Sequence, residues 1–219
     1  LAQWLEALKQ NPDLEFDLNE EKLNQLTQDN GVDWCCDNVS QTEGVYLADT
    51  YFFTKGTTAS EILKRAHRAL IDFVSSEWEQ RDAELPLATP YEALILASII
   101  EKETAVPEER DMISGVFVNR LNKNMRLQTD PTVIYGIGPT FDGNITRKHL
   151  RTATPYNTYV IKGLPPTPIA MAGKAAIHAA LHPLATDALY FVAKGDGSHQ
   201  FSTTLADHNA AVRKYQLKR

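Results

Sequence analysis

Two glutamates, Glu101 and Glu103, close a run from Ala93 to Ile100 that only Ser98 interrupts with a polar side chain. Their setting suits proton transfer. A carboxyl drawn into apolar surroundings loses the hydration that favours its charged form. At the C-terminal end of a helix it also meets the negative end of the helix dipole. Both effects raise its pKa, as a general acid working near neutral pH requires; the acids of lysozyme-type sites sit near a pKa of about 6. Residues two apart on a helix project about 200° from each other, so the two carboxyls cannot share a face. Glu103 stands over Leu96, Ile99 and Ile100, and Glu101 over Leu94, Ala97 and Ser98. Spacing does not say which one faces a cleft. It leaves equal room for the plainer reading, in which both are solvated residues pairing with Lys102 or Arg110.

Other chemistries lack their residues. There is no Gly-x-x-x-x-Gly-Lys phosphate loop, no Gly-x-Gly-x-x-Gly and no His-Glu-x-x-His, and no Gly-x-Ser-x-Gly elbow. Cys35 and Cys36 are adjacent, whereas metal sites need spaced ligands. A disulfide between neighbours is strained, so two unpaired loop thiols are expected. His178 and His182 lie four apart on one helix and could hold a metal, but the sequence sets no carboxylate third ligand beside them; no metal and no cofactor are expected. The net charge of −6 makes nucleic acid a poor partner, because phosphate binding wants a basic face. No basic cluster suggests a lipid surface. No stretch approaches the ~18 continuous apolar residues of a membrane span, and no signal peptide is visible. Because the chain opens on Leu1, we expect a fragment of a longer protein, whose anchor would lie elsewhere.

The elements that must position these groups can be read along the chain. Leu1 to Lys9 and Asn19 to Gln28 have helical spacing, the first presenting Leu1, Trp4, Leu5 and Leu8 on one face. Val45 to Thr54, rich in aromatic and β-branched residues, reads as a strand. Thr58 with Glu61 forms a capping box for a helix to about Gln80, with Ile62, Leu63, Ala66, Ala69, Leu70, Phe73 and Trp78 inward. Thr89, Pro90 and Glu92 start the glutamate-bearing helix, which is apolar almost all round and so belongs inside the domain. Pro107 opens the next helix, carrying Met112, Ile113, Val116, Phe117 and Leu121 inward. From Arg126 to Pro168 the chain turns irregular, with four glycines and six prolines. A loop region of that length is usually functional or disordered, and its tyrosines argue against disorder. Gly173 to Leu181 is a short helix, Leu189–Ala193 and His199–Ser202 a hairpin, and Thr204 with Asp207 caps a last helix. The pattern is α+β: one helix-rich domain, residues 43–219, with a small antiparallel sheet and a long Gly/Pro-rich cleft region, preceded by a helical lead-in over 1–42.

Several segments carry a family resemblance. Ala97-Ser98-Ile99-Ile100-Glu101-Lys102-Glu103-Thr104, Val116-Phe117-Val118-Asn119-Arg120-Leu121 and the run from Met125 to Tyr135 resemble signature segments of the YceG-like family of endolytic murein transglycosylases. So do Tyr156-Asn157-Thr158-Tyr159, Gly163-Leu164-Pro165-Pro166, Leu189 to Ala193, His199 with Phe201, His208-Asn209 and, upstream, Glu43-Gly44 with Asp49-Thr50-Tyr51. The match is colinear from about residue 43 to 210. Departures are small: Ala170 to Gly173 stand where many relatives have Asn-Pro-Gly, leaving the local loop shape open, and Asp207 where many have Glu.

The resemblance implies a lyase that cuts the β-1,4 bond between N-acetylmuramic acid and N-acetylglucosamine without water, leaving a 1,6-anhydromuramyl end. It places the family's catalytic glutamate on Glu103, with Glu101 as the alternative. It also implies a membrane anchor and a LysM-like region upstream, a location on the periplasmic side of the bacterial inner membrane, peptidoglycan strands as substrate, and cell-wall synthases as partners. Ordinary glycosidases use two carboxylates; here the sugar's own 6-hydroxyl attacks, so one carboxyl can serve twice. Glycan binding wants amides, hydroxyls and aromatic faces, and the irregular region offers Gln128, Asp130, Tyr135, Tyr156, Asn157 and Thr158, each of which could equally be loop scaffolding. Asn119 and Arg120 complete the candidates, Arg120 as a holder of a carboxylate such as Glu101. Two other readings compete. One is a pyridoxal-phosphate aminodeoxychorismate lyase, an older label of the family, which needs a Schiff-base lysine that no lysine here has the setting for. The other is a non-catalytic peptidoglycan-binding module, against which the buried-helix glutamate argues.

Overall fold

The computed structural model describes residues 1–28, 32–35 and 42–217. Helix α1 (Ala2–Gln10), a two-residue strand β1 (Leu14–Glu15) and helix α2 (Glu20–Gln28) form the start of the chain. Strand β2 (Thr57–Thr58) pairs in parallel with β1, Leu14 opposite Thr57 and Glu15 opposite Thr58, a pairing too short to register in sequence. Thr58 then caps helix α3 (Ala59–Glu79) with the expected box: its side chain accepts from the Glu61 N–H while the Glu61 carboxylate accepts from the Thr58 N–H. Leu1, Trp4, Leu5, Leu8, Leu23 and Leu26 pack against Val45, Tyr46, Leu63, Ala66 and Ile71.

Helix α4 (Pro90–Glu103) starts at Thr89, whose hydroxyl accepts from the Glu92 N–H. The Glu92 carboxylate closes on the Ala88 N–H at 2.5 Å, one residue before the cap. Every side chain from Ala93 to Ile100 is buried, as the all-round apolar pattern requires. A 3₁₀ turn (Pro107–Glu109) leads into α5 (Arg110–Asn122), which buries Ile113, Val116 and Phe117. The irregular stretch contains two further helices, α6 (Asp130–Ile137) and α7 (Arg147–Arg151). Asp130-Pro131 opens α6 rather than lying in a loop; proline in the first turn is tolerated because its missing N–H would have no helical partner. Helix α8 (Lys174–Leu181) lies along α4 through Ala176, Ile177, Ala179, Ala180 and Leu181. The antiparallel hairpin of β3 (Tyr190–Ala193) and β4 (His199–Ser202) pairs Phe191 with Phe201, and α9 (Leu205–Tyr215), capped by Thr204, packs against it. The fold is α+β and helix-rich with a small antiparallel sheet, as the sequence indicated.

Two expectations change. Val45 to Thr54 is not a strand: Val45, Tyr46 and Leu47 are buried, yet only Ala48 makes a bridge, parallel to Gly173. Its amides go to the Ala66 carbonyl on α3, from Leu47, and to Ala172, from Ala48. The apolar pattern reported burial, but among the described residues no neighbouring strand runs alongside to form a ladder. Cys35 is buried and disulfide-bonded rather than a free thiol; Cys36 lies outside the described residues. No helix among the described residues is long and apolar enough to cross a membrane.

Helix α5 is held close to the segment before the hairpin. A Cβ on Gly115 would stand 2.4 Å from the Leu184 carbonyl oxygen and 2.8 Å from Thr186 Cγ2. Gly115→Ala should therefore destabilise the protein by about 1–3 kcal/mol, the usual cost of overpacking. Urea titration of both proteins checks this, and an unchanged midpoint would contradict it.

Candidate active site

The end of α4, the turn before α6, the hairpin and α9 enclose a cleft of about 470 Å³. Glu103 is on its wall. Its Oε1 accepts a short hydrogen bond from the Thr129 hydroxyl. Burial pushes the Glu103 carboxyl above the ordinary glutamate value; the Thr129 bond opposes this, the Asp130 charge adds to it, and His199 and Arg120 pull back, leaving it raised. Glu101 points elsewhere: its Oε2 accepts from the Gly173 N–H at 3.1 Å, where a carboxylate favours the N-terminus of α8. Of the two carboxyls that helix geometry could not separate, Glu103 is the one in the cleft.

Of the other expected residues, Arg120, Gln128 and Asp130 line the cleft. Arg120 is buried and satisfies itself on backbone oxygens, donating to Leu189 at 2.6 Å, Leu127 at 2.8 Å and Arg126 at 3.2 Å. The expectation that it would hold Glu101 is not met: Glu101 sits on the Gly173 N–H, while the Arg120 charge reaches Glu103 and its guanidinium lies 5.2 Å from the centre of the Tyr190 ring. Gln128 is exposed and has φ +53°, an uncommon conformation for a residue other than glycine. Asp130 accepts from the Tyr159 hydroxyl at 2.6 Å.

Asn119, Tyr135, Tyr156, Asn157 and Thr158 lie outside that wall. Asn119 donates to the carbonyls of Thr186 and Ala188, fixing the approach to the hairpin. Tyr135 and Tyr156 pack edge to face at 4.9 Å, and the Tyr156 hydroxyl meets that of Thr167 at 2.8 Å. Asn157 is buried, donates to His149 and Thr152, and accepts from the Tyr159 N–H. The Thr158 hydroxyl accepts from the Thr129 N–H at 3.0 Å and meets Thr132 Oγ1 at 2.8 Å. Asn157 and Thr158 thus reach the cleft indirectly, through Tyr159 and Thr129.

Sequence reasoning missed Thr129, Tyr159, Tyr190, His199 and His208. His199 lines the cleft and pairs with Glu109, which accepts from its backbone N–H at 2.9 Å and lies 2.7 Å from its Nδ1. His208 stacks on Tyr190 at 5.2 Å, and burial followed by the Arg120 charge lowers its pKa. All five stand in segments that carried the resemblance or directly beside them. That was the available signal, but nothing in their spacing told cleft from scaffold.

This arrangement has relatives. The YceG-like family model matches residues 1–214, and the chain belongs to that family. It is 42% identical over 175 residues to a Bacillus subtilis protein named endolytic murein transglycosylase, covering 79% of this chain and 48% of that protein. It is 30% identical over 178 residues to the protein of the same name from Streptococcus pneumoniae D39, covering 79% of this chain and 32% of that one. A crystal structure of a YceG-like protein from Listeria monocytogenes superposes with a TM-score of 0.70 at 34% identity, over 95% of this chain and 66% of that chain. The chain spans about half or less of the length of these curated relatives.

The raised Glu103 pKa has a consequence for stability. Between the ordinary glutamate value of 4.5 and its raised value in the fold, the folded state binds a proton that the unfolded chain does not. Stability from this group is complete below the first value and is lost as pH rises through the second. Glu103→Gln, neutral throughout, should unfold at a higher temperature than wild type at pH 7.5, with the gap closing near pH 4. Calorimetry across that range checks it; a variant less stable at pH 7.5 than at pH 4, relative to wild type, would contradict it.

Proposed function

We propose that this chain carries the catalytic site of an endolytic murein transglycosylase, with Glu103 as its single acid/base, in a catalytic unit over residues 43–219 behind a helical lead-in over 1–42. The observation that carries the reading is one carboxyl, driven toward its protonated form by burial, on the wall of an open cleft lined with hydrogen-bonding and aromatic side chains. The names of the relatives support the same substrate class.

Protonated Glu103 donates to the glycosidic oxygen as the bond from C1 of N-acetylmuramic acid breaks. The resulting carboxylate takes the proton of the sugar's 6-hydroxyl as O6 bonds to C1. One bond breaks, one forms, Glu103 ends protonated again, and no water enters. An intramolecular nucleophile can act at an effective concentration of about 10⁵ M or more, so a second catalytic carboxylate is not needed. The Thr129 hydroxyl holds the Glu103 carboxyl in place and stabilises its ionised stage; the Arg120 charge does the same, and His199 acts in the same direction. Gln128, Asp130 and Asn209, all on the cleft wall, offer polar groups for sugar hydroxyls and acetamido groups. Murein lies outside the cytoplasmic membrane, so the reading places the site there, working on nascent strands beside cell-wall synthases. The pyridoxal-phosphate alternative needs a Schiff-base lysine. The cleft wall has none among the described residues, so we derive no step through that cofactor.

Purified sacculi incubated with the protein should release fragments ending in 1,6-anhydromuramic acid, lighter by one water than hydrolytic products. Glu103→Gln should reduce that release by about 10²–10⁴-fold, the usual contribution of a general acid, and Glu101→Gln far less. Mass spectrometry decides. Reducing ends in place of anhydro ends would make the enzyme a hydrolase; binding to sacculi without any product would make it a binding module; full release by Glu103→Gln would remove Glu103 from the chemistry.

A further inference from the structure

The helix bearing His178 and His182 one turn apart finds, in the fold, the third ligand that the sequence did not set beside it. Glu77, at the end of α3 and 101 positions before His178, lies with Oε2 2.7 Å from His178 Nδ1. The same oxygen is 3.4 Å from His182 Nε2. One ligand atom from each of the three residues falls within 4.8 Å of the others. Behind His182, Asp82 Oδ1 stands 3.6 Å from the second ring nitrogen, Nδ1.

We propose that Glu77, His178 and His182 bind a divalent first-row transition metal, zinc fitting best, which clasps the end of α3 to the end of α8. Two imidazoles and one carboxylate are the donor set of zinc, copper or nickel rather than of calcium or magnesium, which take oxygen ligands. Around zinc at about 2.0–2.2 Å, tetrahedral donors stand roughly 3.3–3.5 Å apart. The Glu77–His182 separation already has that value, and the Glu77–His178 contact needs to open by roughly half an ångström, less than a side-chain rotation supplies. Asp82 occupies the place of the outer carboxylate that orients a metal-bound imidazole through its other nitrogen.

An ordinary ion pair would use one imidazole. Here two rings, stacked with centroids 4.4 Å apart, converge on a single carboxylate oxygen, and two imidazolium charges at that distance repel each other. A metal ion with both rings neutral satisfies all three donors at once. His178 remains 55% exposed, which leaves an open side for a water ligand. None of the three residues lines the Glu103 cleft, so the site acts on the scaffold: α8 lies along α4, and its first turn is tied to Glu101. The proposal does not depend on the murein reading.

The test is calorimetric titration of the chelator-treated protein with zinc chloride, with thermal unfolding alongside. One equivalent of zinc should bind and raise the unfolding temperature. Glu77→Gln and His182→Ala should each weaken binding at least about tenfold and abolish the thermal shift, while Glu79→Gln on the exposed side of α3 should change neither. Because His178 is largely exposed, His178→Ala is the variant that keeps the fold, and it should weaken zinc to the same degree. Absence of a zinc-dependent thermal shift in the wild type, or equal zinc affinity in wild type and His178→Ala, would overturn the site.

Discussion

Glu103 has to be kept out of water and yet remain on the wall of a cleft that a polar substrate can enter. Helix α4 meets both demands because its body is apolar on every side and its last turn emerges where the chain folds back at Thr129. Burial drives the carboxyl toward its neutral form. The Thr129 hydroxyl, His199 and the charge of Arg120 oppose that drive without cancelling it. A carboxyl raised in this way donates its proton more readily near neutral pH than an ordinary glutamate, and once ionised it is met by a hydroxyl and by opposite charge. The rest of the domain follows from this requirement: α5 and α8 supply the apolar surroundings of α4, and the hairpin with α9 supplies the far side of the cleft.

A layer of buried hydrogen bonds fixes the cleft in turn. Arg120 joins the backbone before α6 to the residue just before the hairpin through carbonyls at 126, 127 and 189. Asn119, its neighbour on α5, does the same for 186 and 188. Thr158 meets Thr129 and Thr132, so the hydroxyl that touches Glu103 sits on a backbone already anchored by a second segment. Such networks are costly when half satisfied and rigid when complete, which suits a site whose acid must not drift toward solvent.

Local signals in the sequence carried most of the helical framework. The capping residues Thr58, Thr89 and Thr204 and the all-apolar body of α4 name their elements without tertiary information, because a cap or a helical stripe is satisfied within a few residues. The stretch at 45–54 misled because burial and strand pairing leave the same apolar trace, and only a neighbour's position separates them. Helices α6 and α7 were hidden by the glycines and prolines around them, although Asp130-Pro131 and Thr146 are serviceable helix starts. For the site, four of ten named residues stand on the cleft wall: Glu103, Arg120, Gln128 and Asp130. Glu101 and the other five hold the surrounding backbone or pack beside it. Type and motif marked these side chains as special, but an amide that binds a sugar and an amide that binds two carbonyls look alike until the chain is folded. Glu77 beside His178 and His182 is the extreme case, a constellation made by packing alone.

The central claim is that Glu103 keeps its proton to a higher pH than an ordinary glutamate, and its ionisation can be followed directly. With ¹³C-labelled glutamate, the side-chain carboxyl signal missing from Glu103→Gln identifies the residue in the spectrum of the wild type. A pH titration should place its midpoint above the ordinary value of 4.5 and should move it higher still in Thr129→Val, which lacks the hydroxyl that favours the anion. A midpoint at or below 4.5 in the folded wild type would contradict the account.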